Sequence, residues 1–177
     1  MSAPGSDDGR PGGRGSYAKG IARRQEILDR AIEVFAERGS KRTSLRAIAS
    51  EVGVTHAALT HYFGSLDELL VAVYVESGRR SDAHDEPAEE STPAATMRRS
   101  AQQNRSIPGL VQLYSSLVAA ALEDGHPAPQ EFITTRFARL RREMALRVSR
   151  LQDDGVIRPD VDPALVAALV IAASDGL

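Results

Sequence analysis

The side chains with the clearest chemistry lie in TSLRAIASEVGVTHAALTHYF, residues 43–63. Its second half carries one apolar anchor, Leu59. Around that anchor stand Thr55, His56, Ala57, Ala58, Thr60 and His61, all small or polar. Hydroxyls and imidazoles shown this way suit hydrogen bonding to an outside partner, and a core helix would not carry such a face. Ala49, Gly53 and Leu59 stand 4 and then 6 residues apart. Where two short helices cross near a right angle, a small residue at Ala49 lets their backbones approach. Gly53 takes the positive φ of the turn without a Cβ penalty. Leu59 drives the second helix into the core beside Ile48. The spacing predicts a helix-turn-helix, whose second helix enters a DNA major groove. A plain helical hairpin in a bundle is the competing reading, and the polar second helix argues against it.

Other chemistries find little support. The four histidines, at 56, 61, 84 and 126, are scattered. His56 and His61 stand five apart, which is not the i, i+4 spacing of a helical metal pair. There is no cysteine, so disulfides, thiolate zinc sites and cysteine nucleophiles are excluded. No glycine-rich phosphate loop follows a strand. The expectation is a chain that is not an enzyme and has no metal site and no cofactor.

The elements that position residues 43–63 follow from composition and periodicity. Alanine occurs 26 times, and 20 of the 22 basic residues are Arg. Ala, Leu and Arg favour helices and β-branched runs are missing, so an all-α fold is expected. Net charge is -2, but residues 10–63 hold ten bases and five acids, a net of +5. Residues 1–16 contain five Gly and two Pro and read as a disordered arm; Arg10, Arg14 and Lys19 are its candidates for reaching DNA. A first helix from Tyr17 to Arg38 shows Ile27, Ala31, Val34 and Phe35 on one face, and Gly39 ends it. Thr43 or Ser44 caps Leu45–Val52, Thr55 caps a helix through His61, and Tyr62-Phe63-Gly64 breaks the chain. Ser65 caps a fourth helix with Asp67 and Glu68 in its first turn. Residues 84–93 read as a loop and 94–106 as a polar helix. Pro108 is expected at the start of the next helix. Ile133, Phe137, Leu140, Met144, Val148 and Leu151 mark a long helix ending near Asp154. A final helix opens at Pro163. No run approaches 18 apolar residues and no secretory signal is evident, so a soluble, cytoplasmic chain with no membrane partner is expected.

Residues 20–75 resemble the DNA-binding domain of the TetR family of bacterial transcriptional regulators. The matching residues are ILDRAIEVFAERG (27–39), Thr43-Ser44, Ile48-Ala49, Gly53-Val54-Thr55, Leu59, Tyr62-Phe63, and Ser65 with Leu69. The resemblance implies an all-α fold with an N-terminal three-helix DNA-binding domain at 17–64. A helical ligand-binding and dimerisation domain would follow at 65–177. It further implies a homodimer joined through the last two helices, a palindromic double-stranded operator, and an unknown small-molecule effector that releases the DNA. Thr43 and Thr55, at helix N-termini, suit a phosphate or act as N-caps. His56, Ala57 and Thr60 are candidates for base edges. His61 and Tyr62 suit backbone phosphate, and Arg46 suits a phosphate or a base.

Three departures from the family pattern bear on function. Leu66 stands where a Lys is common, so a phosphate anchor is missing. Thr60 stands where Tyr is common and shortens the reach to DNA. The resemblance implies a last helix cut short at Asp175-Gly176-Leu177. A DNA-binding protein without an effector, or a regulator with impaired dimerisation, is therefore the alternative. The C-terminal half discriminates between them. A cavity lined by Tyr74, Met97, Leu113, Tyr114, Leu117, Phe132 and Phe137 would favour a ligand sensor. A filled core would favour the alternative.

Overall fold

The computed structural model describes residues 13–38, 45–82 and 92–175, all of them in helices, turns and short connections. Eight helices follow in order: α1 (Gly13–Arg38), α2 (Leu45–Val52), α3 (His56–Phe63), α4 (Leu66–Asp82), α5 (Pro93–Ser106), α6 (Leu110–Ala121), α7 (Pro127–Asp153) and α8 (Pro163–Asp175). The fold is all-α, with α1–α3 forming the head and α4–α8 the body. Residues 1–12, Gly39 and the Thr43-Ser44 cap lie outside the described residues, as do residues 84–91 of the expected loop, whose last residue, Pro93, instead opens α5. Helix α1 begins at Gly13, four residues before the start that the apolar pattern marks.

Local chemistry sets several boundaries. Thr55 accepts the Ala58 N–H at 3.1 Å and opens α3. Ser65 accepts the Glu68 N–H at 3.1 Å and opens α4. Helix α7 closes at Gly155, where Gly155 N–H reaches Gln152 O and Val156 N–H reaches Leu151 O, the paired bonds of a Schellman end. Besides the starts of α1 and α5, two boundaries depart from the sequence expectation. Helix α3 continues through Tyr62 and Phe63 and stops at Gly64, because Phe63 is a core residue that must stay in helical register. Pro108 does not start α6. Ile107-Pro108-Gly109-Leu110 forms a turn closed by Leu110 N–H to Ile107 O at 3.2 Å, with Gly109 at φ 76° and ψ -9°. That is the third position of a type II turn, with Pro in its usual second place.

One apolar core runs from head to body. Ile27, Leu28, Ala31 and Phe35 of α1 meet Ile48 and Ala49 of α2, Leu59 and Phe63 of α3, and Leu69 and Val73 of α4. The same cluster continues into Leu110, Leu113 and Leu117 of α6. A second, smaller core joins α7 and α8 through Met144, Ala167 and Ile171, with Met97, Phe137 and Leu140 against it. Helix α8 is apolar on nearly every side, yet it buries only Ala167 and Ile171. Leu165 and Leu169 are left 56% and 61% exposed, and Leu146 of α7 is also 61% exposed.

Polar contacts fix α4 against its neighbours. Glu76, 8% exposed, receives Arg79 at 2.8 Å and Arg80 at 3.0 Å within α4, and Gln25 of α1 at 3.4 Å. Arg80 also pairs with Asp29 of α1, and Gln25 donates to the same Asp29 at 2.8 Å. At the other end, His126, the residue before α7, lies 2.7 Å from Asp67 in the first turn of α4.

These two contacts titrate with opposite sign. Hydrogen bonding to Arg79, against a desolvation penalty that opposes it, lowers the Glu76 pKa from 4.5 to about 2. Its stabilising share is present above pH 4.5 and is lost as pH falls toward 2. Glu76→Gln is expected to cost about 1–3 kcal/mol near neutral pH and to flatten the acid limb of a plot of thermal midpoint against pH. An unchanged acid limb would remove Glu76 from that role. The hydrogen bond to Asp67 raises the His126 pKa above 6.5. Its share is present below 6.5 and is lost as pH rises through the raised folded value. His126→Gln is expected to flatten the neutral-to-alkaline limb alone, read by the same melting series.

Candidate nucleic-acid interface

The turn between α2 and α3 is built as its residue spacing requires. Gly53 has φ +75°. Gly53 N–H reaches Ser50 O at 3.3 Å and Val54 N–H reaches Ala49 O at 2.9 Å, so α2 ends in the same Schellman pattern as α7. Ala49 and Ile48 are buried, and Leu59 is fully buried between the two helices. Phe63 is buried beside it, with the Arg24 guanidinium of α1 4.6 Å from its ring centre. Sequence reasoning missed that α1–α3 contact, since nothing in the spacing of either helix pairs Arg24 with Phe63.

With Leu59 and Phe63 turned inward, α3 presents a polar outer face. Thr55, His56, Ala57, Thr60 and His61 are exposed and Tyr62 is half-buried. The rings of His61 and Tyr62 meet edge to face, with centres 5.1 Å apart. Thr60 donates its hydroxyl to His56 O at 3.0 Å, which leaves the oxygen lone pairs free to accept. Thr55 uses its oxygen on the Ala58 N–H, so its cap role is met and its hydroxyl proton remains for a phosphate. Arg46 is exposed near the start of α2. The structure thus puts Thr55, His56, Ala57, Thr60 and His61 on one short helix, while Thr43 lies outside the described residues.

Five of the seven residues proposed from sequence for a ligand cavity, Tyr74, Leu113, Tyr114, Leu117 and Phe132, share the first core, while Met97 and Phe137 pack on the second. Leu113 and Leu117 are fully buried. Tyr74, Tyr114 and Phe132 meet: Tyr74 and Tyr114 stack at 5.4 Å, and Tyr74 and Phe132 meet edge to face at 5.5 Å. Of the seven, only Phe132 lines a groove of about 610 Å³ between α1, α4 and α7. Sequence periodicity did not point to this groove, because its walls come from three helices far apart in the chain.

Among the described residues no helix is long and apolar enough to cross a membrane, and no group of three His, Asp or Glu side chains could hold a metal ion. Residues 27–73 match the family model of bacterial regulatory proteins of the tetR family. The transcriptional regulator UidR of Escherichia coli K12 is 26% identical over 165 residues, covering 87% of this chain and 79% of that protein. The transcriptional repressor Rv3405c of Mycobacterium tuberculosis is 31% identical over 148 residues, covering 82% of this chain and 64% of that protein. GusR of Salmonella enterica superposes with a TM-score of 0.67 at 25% identity, covering 88% of this chain and 81% of that one. The matched segment spans the buried face of α1, the glycine turn, the outer face of α3 and the start of α4. The chain belongs to the TetR family of helix-turn-helix transcriptional regulators, DNA-binding proteins and not enzymes.

Proposed function

We propose that the chain acts as a ligand-responsive repressor that binds a palindromic operator as a homodimer joined through α7 and α8. The observation that carries this reading is the exposure of large apolar side chains on α7 and α8: Leu146, Leu165 and Leu169 are each more than half exposed. Large apolar side chains exposed on two packed helices favour burial against a like surface, each Leu contributing roughly 1.5–3 kcal/mol when fully covered. Operator binding as a homodimer requires the pairing through α7 and α8 to set two copies of α3 for adjacent major grooves, about 34–36 Å or a multiple apart. Repression is the activity that the name of the Mycobacterium tuberculosis relative carries.

Within each head, His56, Ala57 and Thr60 read base edges. Thr55, His61, Tyr62 and Arg46 hold phosphates, with Thr43 as a further contact. The division follows from position. His56, Ala57 and Thr60 stand along the outward side of α3, whereas Thr55 lies at its N-terminus, where free N–H groups favour an anion. The arm before α1 supplies further basic residues, Arg10 among them.

Two experiments test this reading. Leu165→Glu combined with Leu169→Glu is expected to turn a sedimenting dimer into a monomer of unchanged helical circular dichroism, and to weaken operator binding. A monomeric parent chain, or equal operator affinity in the double variant, would overturn the dimer. In selection from random duplexes the parent is expected to recover an inverted repeat, and His56→Ala to change the preferred base at one position per half-site, a difference of about 1–3 kcal/mol. Arg46→Ala should instead weaken all duplexes evenly and reduce the slope of log K against log salt by about one contact. Equal binding of every sequence by the parent would sink specific recognition.

A further inference from the structure

The groove between α1, α4 and α7 has a feature that its size alone does not explain. Arg136 of α7 lines it, and its guanidinium carbon lies 5.5 Å from the ring centres of both Tyr74 and Tyr114. Its Nε is buried without a hydrogen-bond partner. Aromatic faces hold this cation in place, and among the described residues no carboxylate pairs with it. The other charges of the groove wall are engaged elsewhere. Glu76 is held by Arg79 and Arg80, Glu68 turns to the Ser65 hydroxyl, Arg139 reaches Glu143 at 3.7 Å, and Arg24 covers Phe63. Glu131 is the remaining acid on the wall, at the solvent-exposed side of α7. The apolar part of the wall is Leu28, Val71, Ala72, Val75 and Phe132.

We propose that this groove takes a small amphipathic carboxylate, its anionic end on Arg136 and its apolar body along α4 and Phe132. The volume, about 610 Å³, falls in the range of small-molecule sites. A cationic ligand is disfavoured because Arg136 already occupies the aromatic faces that would attract one. An anion supplies the partner that the guanidinium lacks, in a charge-assisted hydrogen bond. The location also gives the ligand a means of action. One wall is α1 of the head and another is α7 of the body, so occupancy bears directly on how the two are set. The inference deepens the ligand-responsive reading above and rests on it for the consequence at DNA, but binding itself stands or falls alone.

The test titrates the full chain with octanoate, decanoate, benzoate and indole-3-acetate, against decanol and decylamine as matched uncharged and cationic probes. Calorimetry measures affinity, and tyrosine emission reports the site, since the chain has no Trp and two of its four Tyr face Arg136. At least one carboxylate is expected to bind about tenfold or more tighter than decanol, and decylamine to bind no better than decanol. Arg136→Gln should remove that preference. Val75→Trp, at a position 50% exposed on the groove wall, should block binding without touching the core. No binding by any of the four carboxylates, or equal binding by both variants with parent-like circular dichroism, overturns the site. Operator release is scored separately. Carboxylate binding that leaves operator affinity unchanged would overturn the ligand-responsive reading while the site stands. Release that persists in both variants would overturn the site and leave that reading intact.

Discussion

Glu76 is a carboxylate in the wrong surroundings for a lone charge, and the structure is arranged around satisfying it. Two arginines of its own helix and a glutamine of α1 converge on it, and one of those arginines reaches on to Asp29. An isolated buried carboxylate would cost several kcal/mol, and a partner missing from such a group leaves that penalty exposed. The consequence is geometric. Gln25 and Asp29 lie one turn apart on α1, and Glu76 and Arg80 lie one turn apart on α4, so the bonds between the two pairs fix rotation as well as distance. Apolar packing of Leu28 and Val73 holds the helices together, but it tolerates sliding that a crossed set of hydrogen bonds does not. The head is therefore set against the body at a defined angle.

That setting explains why the first core ignores the division between head and body. Leu69 and Val73 of α4 contact the same cluster as Leu59 of α3 and Leu113 of α6. A change in the packing of α4 or α6 has no separate core in which to be absorbed before it meets α1. Coupling between two sites of a few kcal/mol requires an element that both sites bias. Helix α4 qualifies on structural grounds: it meets the head through Glu76 and Leu69 and the body through Asp67 and Tyr74.

How much of this was legible in the sequence depended on how local the cause was. The turn at Gly53, the caps at Thr55 and Ser65 and the buried side of α1 rest on contacts within a few residues, and the pattern of residue types expresses them directly. Pro108 shows the limit of that approach, because one residue type serves both helix starts and turns, and Gly109 at positive φ decides for the turn. The cavity residues show another limit. Tyr74, Leu113 and Met97 share a helical spacing with core positions, yet spacing names a face and not the helix that covers it. Leu113 went to one core and Met97 to the side of another. Gln25, Asp29, Glu76 and Arg80 are polar residues whose own helices give no sign of a shared contact, and only tertiary placement, 51 residues apart in sequence, joins them.

Helix α7 has 27 residues, and its ends serve different neighbours. One end begins beside Asp67 near the head, and the other runs past the exposed Leu146. At 1.5 Å per residue it is a stiff rod of about 40 Å. A tilt of roughly 3° about one end moves the other by about 2 Å, the size of helix shifts that separate distinct states of regulated proteins. The long helix thus works as a lever arm: angular changes too small to break a side-chain contact at its pivot become displacements of atomic size at its tip.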